Sequence, residues 1–233
     1  MTERVVITGA NRGLGLELAR QHAERGDEVW AGCRRPDDAA ELRDLTAHVE
    51  QVDMASADSI QQFADSLGPA PIDVLYNNAG IDARSLGVDD GARDVLQLSG
   101  DHFLDEMRVN AVGPMLLARA LLDRLTASDN PRIVNVTSQV GSMEVAHNIG
   151  RDIGYVSSKA ALNMISVRQS VHLRDAGIVV IALHPGHLKT DMGGERADLT
   201  TADGATGIVA LVDGLTMADS GTFRRCDGTV HPW

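Results

Sequence analysis

The sequence predicts a doubly wound α/β domain, a mostly parallel seven-stranded sheet with helices on both faces. Three observations carry this. Short apolar runs alternate with helix-length segments from one end of the chain to the other, the order that a parallel sheet with crossover helices imposes. Gly, Pro or Asp punctuates most of the junctions. At 233 residues the chain is long enough for one well-buried core and short for two, so a single domain spanning 1–233 is expected.

In order, the apolar runs place strands at 4–8, 28–33, 48–52, 72–76, 131–137 and 178–184, with a weaker seventh at 221–225. Between them the helical segments fall near 14–25, 37–46, 56–66, 101–125, 155–175 and 201–213. Residues 81–100 and 139–154 are poorly periodic and follow strands, which puts them at the carboxyl edge where such sheets bind ligands. Residues 186–200 follow another strand and contain Gly193-Gly194, the composition of a flap. No linker, repeat or low-complexity segment suggests a second domain.

Apolar residues at 43% and charged residues at 23% are ordinary globular values, which argues against disorder or a fibre. A formal net charge of -12 with no Lys/Arg-rich block argues against nucleic acid or an anionic membrane as partner and leaves small molecules. Cys33 and Cys226 have no zinc-site spacing and are too few for a disulfide scaffold. With no signal-peptide core or membrane-length apolar stretch, a cytoplasmic location is expected. No metal is expected either: His184-x-x-His187 lies in a loop without carboxylate or thiol partners.

The first strand runs into Thr8-Gly9-Ala10-Asn11-Arg12-Gly13-Leu14-Gly15 and a helix start. A strand, a glycine turn and a helix N-terminus together make an anion site, because the backbone N–H groups and the helix dipole face the ligand. The spacing is neither G-x-G-x-x-G nor a P-loop, so a simple tight turn is the competing reading. A dinucleotide site selective for NAD expects an acidic residue at the end of the second strand. Here that end reads Cys33-Arg34-Arg35, and Arg34 with Arg12 would converge on a 2′-phosphate, favouring NADP(H) over NAD(H). The competing reading makes Arg34 and Arg35 solvated turn residues before Pro36.

Tyr155 and Lys159 stand one helical turn apart on one face. A phenol with a pKa of about 10 needs roughly 4 kcal/mol of phenolate stabilisation to act as a base near neutrality, and an ammonium beside it is a natural source. Isolated Y-x-x-x-K pairs are common on surfaces, but only Lys159 and Lys189 of the 21 basic residues are lysines, so lysine is used where arginine would not serve. Ser138 ends the fifth strand, where its hydroxyl either meets a substrate carbonyl or closes a turn.

Thr8-Gly9-x-x-x-Gly13-x-Gly15, Asn77-Asn78-Ala79-Gly80, Asn110, Ser138, Tyr155-x-x-x-Lys159 and Pro185-Gly186 occur in the order and approximate spacing of the short-chain dehydrogenase/reductases. Over nearly its whole length the chain resembles that Rossmann-type family. The stretch from His184 to Gly194 and the closing Phe223–Trp233 resemble its C-factor/sniffer-type carbonyl reductases. The resemblance implies Tyr155 as general acid/base and Lys159 as the group that lowers its pKa and holds the nicotinamide ribose. Ser138 would orient the carbonyl, and Asn110 would hold a water linking Lys159 to solvent. The cofactor would lie over Gly9, Asn11, Arg12, Gly13, Leu14 and Gly15, then over Arg34, Asp53 and Met54, with Asp53 at the adenine amino group. Asn78, Ala79 and Gly80 would follow on the adenosine side, with Pro185, Gly186, Leu188 and Thr190 toward the nicotinamide carboxamide. The long segment before Tyr155 departs from the commonest pattern; its Glu144, His147, Arg151 and Asp152 either line a substrate mouth or are solvated. The implied activity is NADPH-dependent reduction of a small ketone or aldehyde, or the reverse oxidation of a secondary alcohol. An NAD-linked alcohol dehydrogenase and a non-catalytic NADP(H)-binding regulatory protein are the alternatives. Homodimers or homotetramers through the 101–125 and 155–175 faces are usual for the family and so implied as well, with a monomer, as in some of its carbonyl-reducing members, the alternative.

Overall fold

A computed structural model describes residues 2–148 and 152–233. Strands β1 (Arg4–Thr8), β2 (Glu28–Cys33), β3 (His48–Gln51), β4 (Val74–Asn77), β5 (Arg132–Val136), β6 (Val179–His184) and β7 (Phe223–Arg225) form one sheet, ordered β3-β2-β1-β4-β5-β6-β7. Every neighbouring pair is parallel, so the sheet is parallel throughout where a mostly parallel one was expected. Strand order reverses between β1 and β4, the chain stepping outward to one edge through β2 and β3 and then to the other through β5–β7, which opens a crevice beyond their carboxyl ends.

The helices are α1 (Gly13–Glu24), α2 (Ala40–Leu45), α3 (Ala57–Ser66), α4 (Gly100–Met107), α5 (Gly113–Ala120), α6 (Leu122–Thr126), α7 (Ile153–His172) and α8 (Thr201–Asp213). Alternate strand residues feed opposite layers, as a period of two requires. Val5, Ile7, Val29 and Ala31 pack with Leu14 and Leu18 of α1 and Ile208 of α8. Val6, Leu75, Ile133 and Val180 pack with Phe63 of α3 and Leu117 of α5 on the other side. Among the described residues no helix is long and apolar enough to cross a membrane.

The expected continuous helix 101–125 is instead α4, a π-helical turn over Arg108–Val112, then α5 and α6. Pro114 contributes no N–H to the helical ladder. At Gly113 the backbone passes so near the β3–α3 connection that a Cβ would lie 2.5 Å from the Met54 carbonyl oxygen. The 37–46 segment likewise shortens to α2 behind a 3-10 turn at Pro36–Asp38.

Two buried polar assemblies tie the layers together. Asn77 and Asn135 are register partners on β4 and β5; the Asn77 amide donates to Asn135 Oδ1 (2.8 Å), and the Asn135 amide donates to Ser166 Oγ and Gln169 Oε1 of α7 (both 2.9 Å). On the opposite face His22 Nδ1 lies 2.8 Å from Asp27 and its Nε2 lies 3.1 Å from the hydroxyl of fully buried Tyr76. Burial keeps His22 neutral by lowering its pKa, against the opposing pull of Asp27. The tautomer that donates from Nδ1 to Asp27 accepts from the phenol at Nε2. Tyr76→Phe should therefore strand Nε2 in the core and cost about 1–3 kcal/mol of stability, measured by urea unfolding, with cofactor binding unchanged.

Candidate active site

The crevice begins at the glycine turn after β1. Gly9 adopts φ +65°, and a Cβ there would lie 2.8 Å from the Ala79 Cα; at Gly15 a Cβ would meet the Gly9 carbonyl oxygen at 2.3 Å. Both positions must be glycine for β1, β4 and α1 to close on one another. Thr8 Oγ1 accepts from the backbone N–H of Asn78 and Ala79 (3.1 Å each), and the Asn78 amide donates to the carbonyls of Thr8 (2.9 Å) and Gly9 (3.2 Å). Asn78 thus buttresses the turn as well as lining the crevice.

Helices α3, α4, α7 and α8 start with side-chain caps from Ser56, Ser99, Asp152 and Thr200. Helix α1 has none: Arg12 is its N-cap residue, gives no side-chain cap, and the first turn holds no acidic residue. Its first-turn N–H groups and dipole face the crevice, which suits a pyrophosphate. The crevice has a volume of about 1590 Å³ and is lined from Gly9–Gly15, past Arg34, Asp53, Met54 and Asn78–Gly80, to Ser138, Tyr155, Lys159 and the Pro185–Thr190 segment. Each residue type needed for a dinucleotide is present along that track, and the glycine cradle fits it.

Arg34 is exposed at the end of β2, with no side-chain partner given among the described residues. Arg12 lines the same crevice, and its guanidinium forms an ion pair with Asp191 of the flap. Asp53 Oδ1 accepts from the Ala55 N–H (2.9 Å), which leaves Oδ2 for a ligand. The flap base is pinned by the Leu188–Leu199 bridge, and the Thr190 hydroxyl is engaged within the flap, accepting from the Gly193 N–H (3.1 Å). Arg84 reaches the flap from the other side, donating to the Met192 carbonyl (2.7 Å).

At the far end Tyr155 and Lys159 share a face of α7, with Nζ 5.6 Å from the phenol ring centroid. Lys159 is 3% exposed and donates to the Val136 carbonyl (2.9 Å); burial lowers its pKa to about 8. Contrary to the lowering expected from Lys159, burial pushes the Tyr155 phenol up to about 12; the Ser138 hydroxyl works against this, and Asp82, Asp152 and Glu106 add to it. The segment carrying Ser138 is locked to α7, because a Cβ at Gly141 would lie 2.7 Å from the Lys159 carbonyl carbon and Asn163 donates to the Gly141 carbonyl (3.1 Å).

Asn110 sits in the π-helical turn, fully buried. Its amide donates to the Ile81 carbonyl (2.8 Å) and Ser158 Oγ (2.9 Å), and its Oδ1 accepts from the Ile81 N–H (2.8 Å). Both amide hydrogens are spent on protein, so a relay water has only a lone pair of Oδ1 or the main chain to hold it. The side chain clips β4's outgoing loop to α7.

Of the charges before Tyr155, Asp152 lines the crevice and is not solvated: it is buried, caps α7 and accepts from the Ala83 N–H (2.8 Å). Glu144 is exposed, His147 is exposed and partnered, and Arg151 lies outside the described residues. Sequence reasoning missed Arg84, Asp82 and Arg93, which line the substrate end, and the buried Glu106 behind it. Their only signal was a poorly periodic loop. Among the described residues no group of three side chains is arranged to hold a metal.

A model of the short chain dehydrogenase family matches residues 3–200. The C-signal of Myxococcus xanthus is 36% identical over 174 residues, covering 75% of this chain and all of that protein. Two solved structures align along the full chain with TM-scores of 0.90: an NADPH-bound carbonyl reductase from chicken fatty liver, 31% identical with 99% of that chain covered, and the carbonyl reductase Sniffer of D. melanogaster, 29% identical with 100% covered.

Proposed function

This chain belongs to the short-chain dehydrogenase family, and on that footing we propose that it reduces small ketones or aldehydes with NADPH, Tyr155 giving the proton. The observation that carries this reading is the meeting of Tyr155, the Ser138 hydroxyl and the Lys159 ammonium at one end of a glycine-cradled crevice. When bound, the nicotinamide supplies hydride. The chain's own part is protonic and electrostatic. A phenol held near 12 keeps its proton throughout the physiological range and stands ready to donate it as a carbonyl oxygen gains charge. Ser138 offers that oxygen a second hydrogen bond, and buried Lys159, still cationic at pH 7, stabilises the phenolate left behind. Gly9–Gly15 and the uncapped start of α1 would hold the pyrophosphate, Arg34 the 2′-phosphate, and Asp53 the adenine.

The NADPH-bound carbonyl reductase from chicken fatty liver, 31% identical, supports the cofactor and the substrate class. Exposed Leu104, Val112 and Met115 on α4–α5, with Met164 and Val171 on α7, support self-association through those helices, which sedimentation would test. The activity is tested by following NADPH oxidation with benzaldehyde, diacetyl and isatin. Turnover of at least one, faster with NADPH than NADH, is expected. NADPH binding without turnover of any would favour a cofactor-binding regulator instead.

A further inference from the structure

Glu106, on α4, is wholly buried, and the chemistry above makes no use of it. Its carboxyl group lies against the first turn of α7, occupying the space where Gly154 lacks a side chain: a Cβ there would fall 1.8 Å from Oε2. Asp152, which caps that turn by accepting from the Tyr155 N–H (3.3 Å), is its neighbour. Neither Glu106 oxygen makes a full hydrogen bond, and the one main-chain donor close to it, the Ala83 N–H, is given to Asp152 (2.8 Å) and opposes the upward shift only weakly. Two buried carboxylates side by side with one lacking a donor would be costly, whereas a neutral acid has a proton to give and Asp152 has a lone pair to take it.

We propose that Glu106 is held as the neutral acid and is a positioning residue, donating its hydrogen bond to Asp152 and so fixing the turn of α7 that carries Tyr155. The inference rests on the reading of Tyr155 as proton donor. Burial, and then the charge of Asp152, push the Glu106 carboxyl up to about 8. The other charged groups around it have partners of their own: Asp82 is bound by Arg84 (2.7 Å), Arg93 pairs through one terminal nitrogen with Asp90 (2.6 Å), its buried Nε–H making no hydrogen bond to Glu106 or any other group, and accepts from the Ile153 N–H through its carbonyl (3.0 Å), and Arg108 of the following turn pairs with Asp105 (2.6 Å). Raising the pH through 8 therefore ionises Glu106, breaks the bond to Asp152 and adds a carboxylate that makes the Tyr155 phenol a still weaker acid.

The test compares wild type with Glu106→Gln, whose amide donates to Asp152 at every pH, and Glu106→Leu, which cannot donate. Because the folded-state pKa is raised, wild-type stability falls as pH rises from the carboxylate's unfolded value toward 8, and Glu106→Gln lacks that fall. The melting temperature of Glu106→Gln should thus gain on wild type by about 5 °C or more between pH 5 and pH 8.5. With benzaldehyde as probe, kcat of Glu106→Gln at pH 9, normalised to pH 7, should exceed the wild-type ratio at least threefold. Glu106→Leu should lose about tenfold in kcat, with its NADPH dissociation constant within twofold and the Gln variant restoring the loss. A melting difference independent of pH, or an unchanged alkaline limb in Glu106→Gln, overturns the proposal while leaving the Tyr155 reading intact. Full turnover by Tyr155→Phe overturns both.

Discussion

Tyr155→Phe is expected to lower kcat for carbonyl reduction by at least ~100-fold, the usual contribution of a positioned acid, while the NADPH dissociation constant stays within about twofold. Phenylalanine keeps the ring that packs beside Lys159 and Ser138 and removes only the hydroxyl. Nothing nearby replaces the lost proton well. Lys159, with its pKa of about 8, is an acid of suitable strength, but its ammonium is committed to the Val136 carbonyl at 2.9 Å and stands 5.6 Å from the ring centroid; Glu106, also at about 8, is buried behind the first turn of α7. Stopped-flow single turnovers separate chemistry from cofactor release, so the loss should appear in the hydride-transfer phase itself. A variant that keeps a tenth or more of wild-type turnover would move the proton donor to Lys159 or to solvent.

What was legible in advance follows the range of the interactions. The pairing of Tyr155 with Lys159 rests on a spacing of four, and the turn from Thr8 to Gly15 is continuous in sequence, so helix geometry and glycine chemistry alone predict both. The break in helix 101–125 was not readable, because the demand on Gly113 comes from Met54 some sixty residues earlier. Asn110 stands out in sequence as part of a motif, but its partners Ile81 and Ser158 sit 29 and 48 residues away, so the clip it makes between layers was not readable there. Arg12 was assigned to a phosphate on local grounds and meets Asp191, 179 residues on. Glu106 gave the weakest signal of all: an acidic residue in an amphipathic helix reads as solvated, and only packing of α4 against α7 buries it.

Cofactor selection yields the other large expected effect. Wild type should bind NADPH about one to two orders of magnitude more tightly than NADH, since charge-assisted hydrogen bonds from a guanidinium to phosphate are each worth roughly 1.5–3 kcal/mol. Arg34 is the residue placed to give them, exposed at the end of β2 on the crevice wall, with no carboxylate at the strand end to hold ribose hydroxyls instead. Arg12 is expected to contribute less, because engaging a phosphate means leaving Asp191, an exposed partner whose loss costs little but not nothing. Arg34→Asp should therefore abolish or invert the preference, removing the anion's partner and setting a like charge against it, while Arg12→Ala should narrow it by a smaller factor. Dissociation constants for both cofactors, taken by fluorescence titration at two salt concentrations, check this: the wild-type ratio should shrink as ionic strength rises, because both guanidiniums are solvent-exposed and screened, and the Arg34→Asp ratio should move the opposite way. A wild type indifferent to the 2′-phosphate at low salt would make Arg34 an ordinary surface residue and return the choice between NADP(H) and NAD(H) to the rest of the crevice.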